Sequence, residues 1–158
     1  MSPLTIRSAD TDVPFADARR IRQVVFVEEQ ACPPELEWDA HDAGEARGRS
    51  CFHLLGYAGG EPVAVARWRP VGDAAKLERF AVLREHRGQG LARQMVAATL
   101  AAARAAGHDR FVLHAQSHLE GFYGSFGFRR TGEPFDEAGI EHVKMVLNER
   151  APSAEADG

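Results

Sequence analysis

The sequence predicts an α/β domain built on a mixed, mostly antiparallel central sheet flanked by helices. Two observations lead there. Short apolar or alternating runs recur as strands, and helical stripes interleave with them in the order β-α-loop-β-β-β-α-β-α-β-β. A length of 158 residues fits one domain, able to bury roughly 70% of its unfolded surface without staples. A single domain is expected over 1–148. The tail over 149–158 lacks apolar residues beyond alanine and is expected to be disordered.

The elements follow in order. Residues 4–7 alternate and read as a first strand. Asp10, Thr11 and Asp12 offer helix N-caps, and Pro14 suits a first turn. Ile21, Val24 and Val25 then share a helical face, although the β-branched run over 24–27 blurs the helix end. Residues 28–50 read as an irregular, acidic connection punctuated by Pro33 and Pro34, of a length that is usually functional. Strands over 51–57 and 62–69 flank a Gly59-Gly60 hairpin signal, and Gly72-Asp73 marks another turn. A strand over 77–82 precedes a helix over 91–106, whose stripe is Leu91, Met95, Val96, Thr99 and Leu100, with Gly107 as its cap. A buried strand over 111–113, a short helix carrying Tyr123, and strands over 128–131 and 140–147 complete the chain.

Composition narrows the function. A formal net charge of −4 argues against a nucleic-acid partner. No apolar run is long enough to cross a bilayer, and the N-terminus lacks a signal-peptide pattern, so neither a membrane partner nor export is expected. Cys32 and Cys51 suit free thiols in a reducing cytoplasm.

The most informative stretch is the loop Arg87-Gly88-Gln89-Gly90-Leu91-Ala92-Arg93 between a strand and the long helix. Small residues at a helix start leave backbone N–H groups open to an anion, and the helix dipole favours negative charge. A dinucleotide fingerprint fails here because Arg93 replaces its third glycine, and a P-loop fails for want of Gly-Lys-Ser/Thr. A glycine-eased loop before an ordinary helix is the plainer alternative. Phe122-Tyr123 and Gly127-Phe128, one strand later, shift the weight toward an acyl-CoA ligand.

Strand, anion-binding turn, helix, strand and tyrosine-bearing helix together resemble the Gcn5-related N-acetyltransferase (GNAT) family. The resemblance covers 4–147 and is strongest over 77–128. Val25-Phe26-Val27-Glu28-Glu29-Gln30, Glu37-Trp38-Asp39, Ala115-Gln116-x-His118-Leu119 and Asp136-Glu137-x-Gly139-Ile140-x-His142 are similar to the bacterial ElaA-like subgroup. The resemblance implies a splayed strand pair and acetyl-CoA as co-substrate, with Arg87 to Arg93 around the pyrophosphate. It also implies that backbone groups of Phe80, Ala81 and Val82 hold the pantetheine arm and polarise the acetyl carbonyl. Gln116 stands where the family often has a cofactor-bonding Asn.

By the same resemblance Tyr123 is the general acid that protonates the leaving sulfur; its plain alternative is an aromatic packed against Phe122, Phe126 and Phe128. A phenol with an ordinary pKa near ~10 carries its proton at neutral pH. Glu78, on the cofactor strand, is a base for the amine or a carboxylate paired with a neighbouring arginine. Glu28, Glu29, Glu37 and Trp38 form either a surface for a cationic acceptor or a solvated acidic loop. The acceptor is a primary amine of a small molecule or a protein, and the chain a monomer or homodimer. No metal is expected, since His114 and His118 lack a third ligand. Cys32 has no basic partner in sequence and reads as inert. Two alternatives stay open: an acyl-homoserine-lactone synthase, which shares the pattern Arg22-x-x-Val25-Phe26, and a non-catalytic acyl-CoA sensor.

Overall fold

The computed structural model describes residues 4–150. Seven strands form one sheet in the order β1-β2-β3-β4-β5-β7-β6. They are β1 (Thr5–Ser8), β2 (Phe52–Ala58), β3 (Glu61–Val71), β4 (Ala74–Val82), β5 (Arg110–Gln116), β6 (Arg129–Glu137) and β7 (Ile140–Asn148). Every neighbouring pair is antiparallel except β4 and β5. The helices are α1 (Asp12–Arg22), α2 (Pro34–Glu37), α3 (Leu91–Ala105) and α4 (Glu120–Gly124).

The period of two along the strands divides the core between the sheet's faces. Leu54, Ala64, Ala66 and Trp68 face α3, where Leu91, Met95, Val96 and Leu100 are buried. Leu55 and Val65 face the other way, against Ala18 and Ile21 of α1. Thr99 lies on the buried stripe of α3, and its hydroxyl donates to the Met95 carbonyl at 2.7 Å, so no polar atom is stranded there.

The two-residue turns behave as their sequences require. Gly59 and Gly60 both take positive φ, as do Ala138 and Gly139 between β6 and β7, the pattern of a type I′ hairpin. Asp10 does not cap α1: its carboxylate accepts from the His53 N–H at 2.8 Å, and Thr11 is the N-cap without a side-chain bond. The blurred helix end is a real irregularity. From α1 the chain continues as a π-helix over Gln23–Glu29, and the Gln30 N–H reaches back five residues to the Val25 carbonyl. Branching at Val24, Val25 and Val27 crowds the regular turn there.

Several expected boundaries move, with β4 starting at Ala74 and β5 spanning Arg110–Gln116. The 28–50 connection is ordered by α2 and by a 3₁₀ turn over Ala40–Asp42, capped by the Asp39 carboxylate. β6 runs on to Glu137 through a register shift between Thr131 and Phe135. At the C-terminus Glu149 donates its N–H to the Asp109 carbonyl and pairs with Arg104. The remainder of the tail expected to be disordered, 151–158, lies outside the described residues.

Gly107 ends α3 at φ +102°, its N–H bonding the Arg104 carbonyl while the His108 N–H reaches the Ala103 carbonyl. This double closure needs a left-handed residue. Gly107→Ala should therefore cost about 1–2 kcal/mol. Urea denaturation checks it through a lower midpoint at unchanged m-value.

Candidate active site

β4 and β5 run side by side only at Ala75–Phe111 and Lys76–Val112 and then separate. Beyond Lys76, β4 keeps its partner β3 on one edge but has none on the other. A bulge sharpens the divergence. Arg67 pairs with Glu78 and Val65 with Ala81, so Ala66 faces both Arg79 and Phe80. Arg79 holds φ +60°, unusual for a long side chain and a mark of local strain.

Into this opening the loop delivers the start of α3. Gly88 and Gly90 take φ +79° and +77°, conformations that β-carbons disfavour. Gly90 is the N-cap and supplies no side chain, so the first-turn N–H groups are left to a ligand. A cleft of about 360 Å³ lies against them. Phe80, Ala81, Val82, Arg87, Gly88, Gly90, Leu91, Ala92 and Arg93, all assigned to the cofactor from sequence, line it; Gln89 and Gln116 do not. His86, Met95, Val96, Leu119 and Phe122 also line it. Met95 and Val96 carried only a core signal in the helical stripe.

Two arginines shape the loop. Arg87 donates Nε–H to the Val82 carbonyl at 2.8 Å and grips Glu29 with both terminal nitrogens, each at 2.9 Å. That hydrogen bond holds the Glu29 carboxyl below its ordinary pKa. Glu29 thus ties the π-helix to the loop, while Glu28 is exposed beside it. Arg93 lies over the rings of Phe122 and Phe126 and donates to the Ser125 hydroxyl at 2.9 Å.

A second chamber, of about 530 Å³, opens on the other side of the strand gap. Phe80, Leu119 and Tyr123 line both spaces. Tyr123 is 7% exposed, set edge-on to Phe122 and Phe128, and desolvation pushes its phenol up to about 12. Gln116 faces the second chamber, where its amide donates to Gln30 Oε1 at 3.3 Å.

The acidic segment is tied to arginines of α1, β3 and β4. Glu37 is 3% exposed and accepts from Arg22 Nε at 2.7 Å, with Arg79 on its other oxygen at 3.2 Å. Trp38 is covered by the guanidinium groups of Arg19 and Arg22 at 4.5 and 4.7 Å. Of the residues assigned to the acceptor, Glu37 and Glu78 line the second chamber; Glu28, Glu29 and Trp38 do not. Glu78 bonds Arg67 Nε at 2.6 Å, with Arg69 and Lys76 at 3.2 and 3.6 Å. Burial opposes its ionisation, but these cations outweigh it and lower its pKa, so Glu78 is a weak base. Arg22, the first residue of the lactone-synthase pattern, is fully engaged by Glu37 and Asp42. Burial also pushes up the thiols of Cys32 and Cys51, the latter to about 12. Among the described residues no cluster of three or more His, Cys, Asp or Glu is arranged for a metal, and no helix is long and apolar enough to cross a membrane.

Arg67 is 1% exposed and joins Glu78, Asp39 and Asp42. All three carboxyls have depressed folded-state pKa values despite burial. Their stabilisation is present above the unfolded values near ~4 and is lost as pH falls through the folded ones. Arg67→Met should cost about 3–5 kcal/mol at pH 7 by leaving buried charge uncompensated. Urea midpoints between pH 7 and 3 should then fall less steeply in the variant than in the parent chain.

This geometry coincides with known relatives. The acetyltransferase (GNAT) domain profile matches residues 39–149. The uncharacterized N-acetyltransferase YjcF of Bacillus subtilis is 37% identical over 139 residues, spanning 87% of this chain and 95% of its own. The crystal structure of Escherichia coli ElaA superposes with a TM-score of 0.80 at 29% identity, covering 92% of this chain and 99% of that one. An acyl-CoA N-acyltransferase structure from Pseudomonas aeruginosa gives 0.79 at 30% identity, covering 91% and 99%. The chain is a member of the GNAT acetyltransferase family.

Proposed function

We propose that the protein moves the acetyl group of acetyl-CoA to a primary amine by direct attack in a ternary complex, with Tyr123 as general acid. One arrangement carries this reading: a cleft at a helix start and a polar chamber meet at Phe80, Leu119 and Tyr123. First-turn N–H groups of α3 and the Gly88–Gly90 turn would hold the pyrophosphate. The free edge of β4 would take the pantetheine amides, and a backbone N–H near the Phe80 bulge would face the acetyl oxygen. The acceptor, a small-molecule or protein amine, would enter from the second chamber.

The chemistry balances. The neutral amine nitrogen bonds to the carbonyl carbon, and the carbon–sulfur bond breaks as the intermediate collapses. Tyr123 gives its proton to the sulfur and recovers one from the new amide nitrogen, so no phenolate persists. Because desolvation raises the phenol to about 12, Tyr123 keeps its proton across the working range and contributes no alkaline limb there.

Two variants test the reading. Ala92 lies exposed in the first turn of α3, where a carboxylate favours the helix but opposes a bound anion. Ala92→Glu should keep or raise the melting temperature while weakening acetyl-CoA roughly 10- to 10³-fold by calorimetry. Unchanged affinity places the phosphates elsewhere. Tyr123→Phe should keep that affinity and lose on the order of 10²–10⁴ in kcat, read as thiol release across an amine panel. An undiminished rate with chemistry limiting leaves Tyr123 as packing alone.

A further inference from the structure

Removing the first proton from a charged amine requires an acceptor with a free lone pair, and on the α2 side of the second chamber the carboxylates are already engaged; burial raises the Glu37 carboxyl, but both of its oxygens face arginines. Glu37, Asp39 and Glu78 are each bound to arginines. The opposite wall is different. There β5, β6 and β7 present His114, Gln116, Glu137 and His142 to the same chamber as Tyr123. Gln116 and His142 are directly paired across β5 and β7, so their side chains share a face, and His114 lies two residues before Gln116 on that face.

His142 is 8% exposed, and its Nδ1 lies 2.8 Å from the Ile140 carbonyl oxygen. A carbonyl only accepts, so Nδ1 carries the hydrogen. In the neutral ring Nε2 is therefore a bare lone pair. It faces Glu137 Oε2 at 3.6 Å, while the other oxygen of Glu137 is 3.0 Å from His114 Nδ1. Two acceptors look at each other across a gap too long for a direct hydrogen bond. A proton on Nε2 converts that opposition into an ion pair.

The surroundings hold the arrangement. Phe135 stacks on His142 and meets His114 edge-on, and the Ala138-Gly139 turn sets Glu137 opposite Ile140. Hydrogen bonding from His114 keeps the Glu137 carboxyl below its ordinary pKa, with Lys76 of β4 adding to the effect. Lys144, next on this face of β7, is exposed, and His118 lines the chamber mouth.

We propose that His142 Nε2 takes the proton from the attacking amine, with Glu137 as the positioning residue that balances the imidazolium. The proposal rests on the acetyl-transfer reading above. The amine loses one proton to Nε2 before its lone pair attacks, and the imidazolium returns that proton to solvent after turnover.

The test compares His142→Gln and Glu137→Gln with the parent chain in thiol release from acetyl-CoA. The probes are putrescine, which is charged at neutral pH, and trifluoroethylamine, which is largely neutral there. His142→Gln should lose on the order of 10²–10⁴ in kcat with putrescine and far less with trifluoroethylamine. Glu137→Gln should move the acid limb of the putrescine profile to lower pH. Nitrogen-15 spectra of the parent chain should show Nδ1 of His142 protonated in the neutral ring and Nε2 gaining the second proton. Equal losses with both amines, an unmoved limb, or a neutral ring protonated at Nε2 overturns the role of His142 alone. A parent chain that releases no thiol with either amine overturns the transfer reading and this role with it.

Discussion

The parting of β4 from β5 is the constraint on which the site depends. Two paired positions, Ala75–Phe111 and Lys76–Val112, are the only parallel contact in the sheet. Each strand is otherwise secured on its far side, β4 by β3 and β5, along its whole length, by β7. The gap therefore opens without dissolving the sheet, since β5 keeps a continuous ladder with β7 and β4 a bulged one with β3. An unpaired strand edge is ordinarily a liability, because its N–H and C=O groups seek partners. In the proposed function a pantetheine arm, itself rich in amides, would satisfy the same groups.

The second chamber depends on ion pairing more than on apolar packing. Arg67 is buried on β3 between His53 and Glu78 of the adjoining strands, and its burial is tolerable because Glu78, Asp39 and Asp42 surround it. Arg22 does the same from α1 with Glu37 and Asp42, so the segment carrying α2 is clamped to the sheet by charge. Arg79, at its positive φ in the β4 bulge, sets its guanidinium against Glu37 and the Glu37 carbonyl. Once these groups neutralise one another, Glu137 is the chamber carboxylate left to two histidines.

The stretch from β4 to Tyr123 was legible because its signals are local. Small residues at a helix start, a helical stripe ending in Gly107, and a phenol after the next strand each follow from a few adjacent residues. Turn glycines located the hairpins for the same reason. The pairing of the acidic segment was not readable in the sequence because its partners are distant: Arg22 and Glu37 are 15 residues apart, Arg79 and Glu37 42. Period-two patterning marks Arg67 as a strand residue without revealing which carboxylates meet it across the sheet. Glu137 and His142 were visible only as a resemblance, since their relation depends on a turn and a ring orientation. Gln116 lies three residues beyond the expected end of its strand, which runs on to include it, and its amide donates to Gln30.

The measurement closest to the central claim is a crystal structure of the protein with bound CoA, read for the sulfur and the diphosphate. The account predicts the diphosphate over Gly88–Gly90 and the sulfur in the throat among Phe80, Leu119 and Tyr123, within hydrogen-bonding reach of the phenol. A diphosphate away from that turn, or a sulfur directed away from Tyr123, would contradict it.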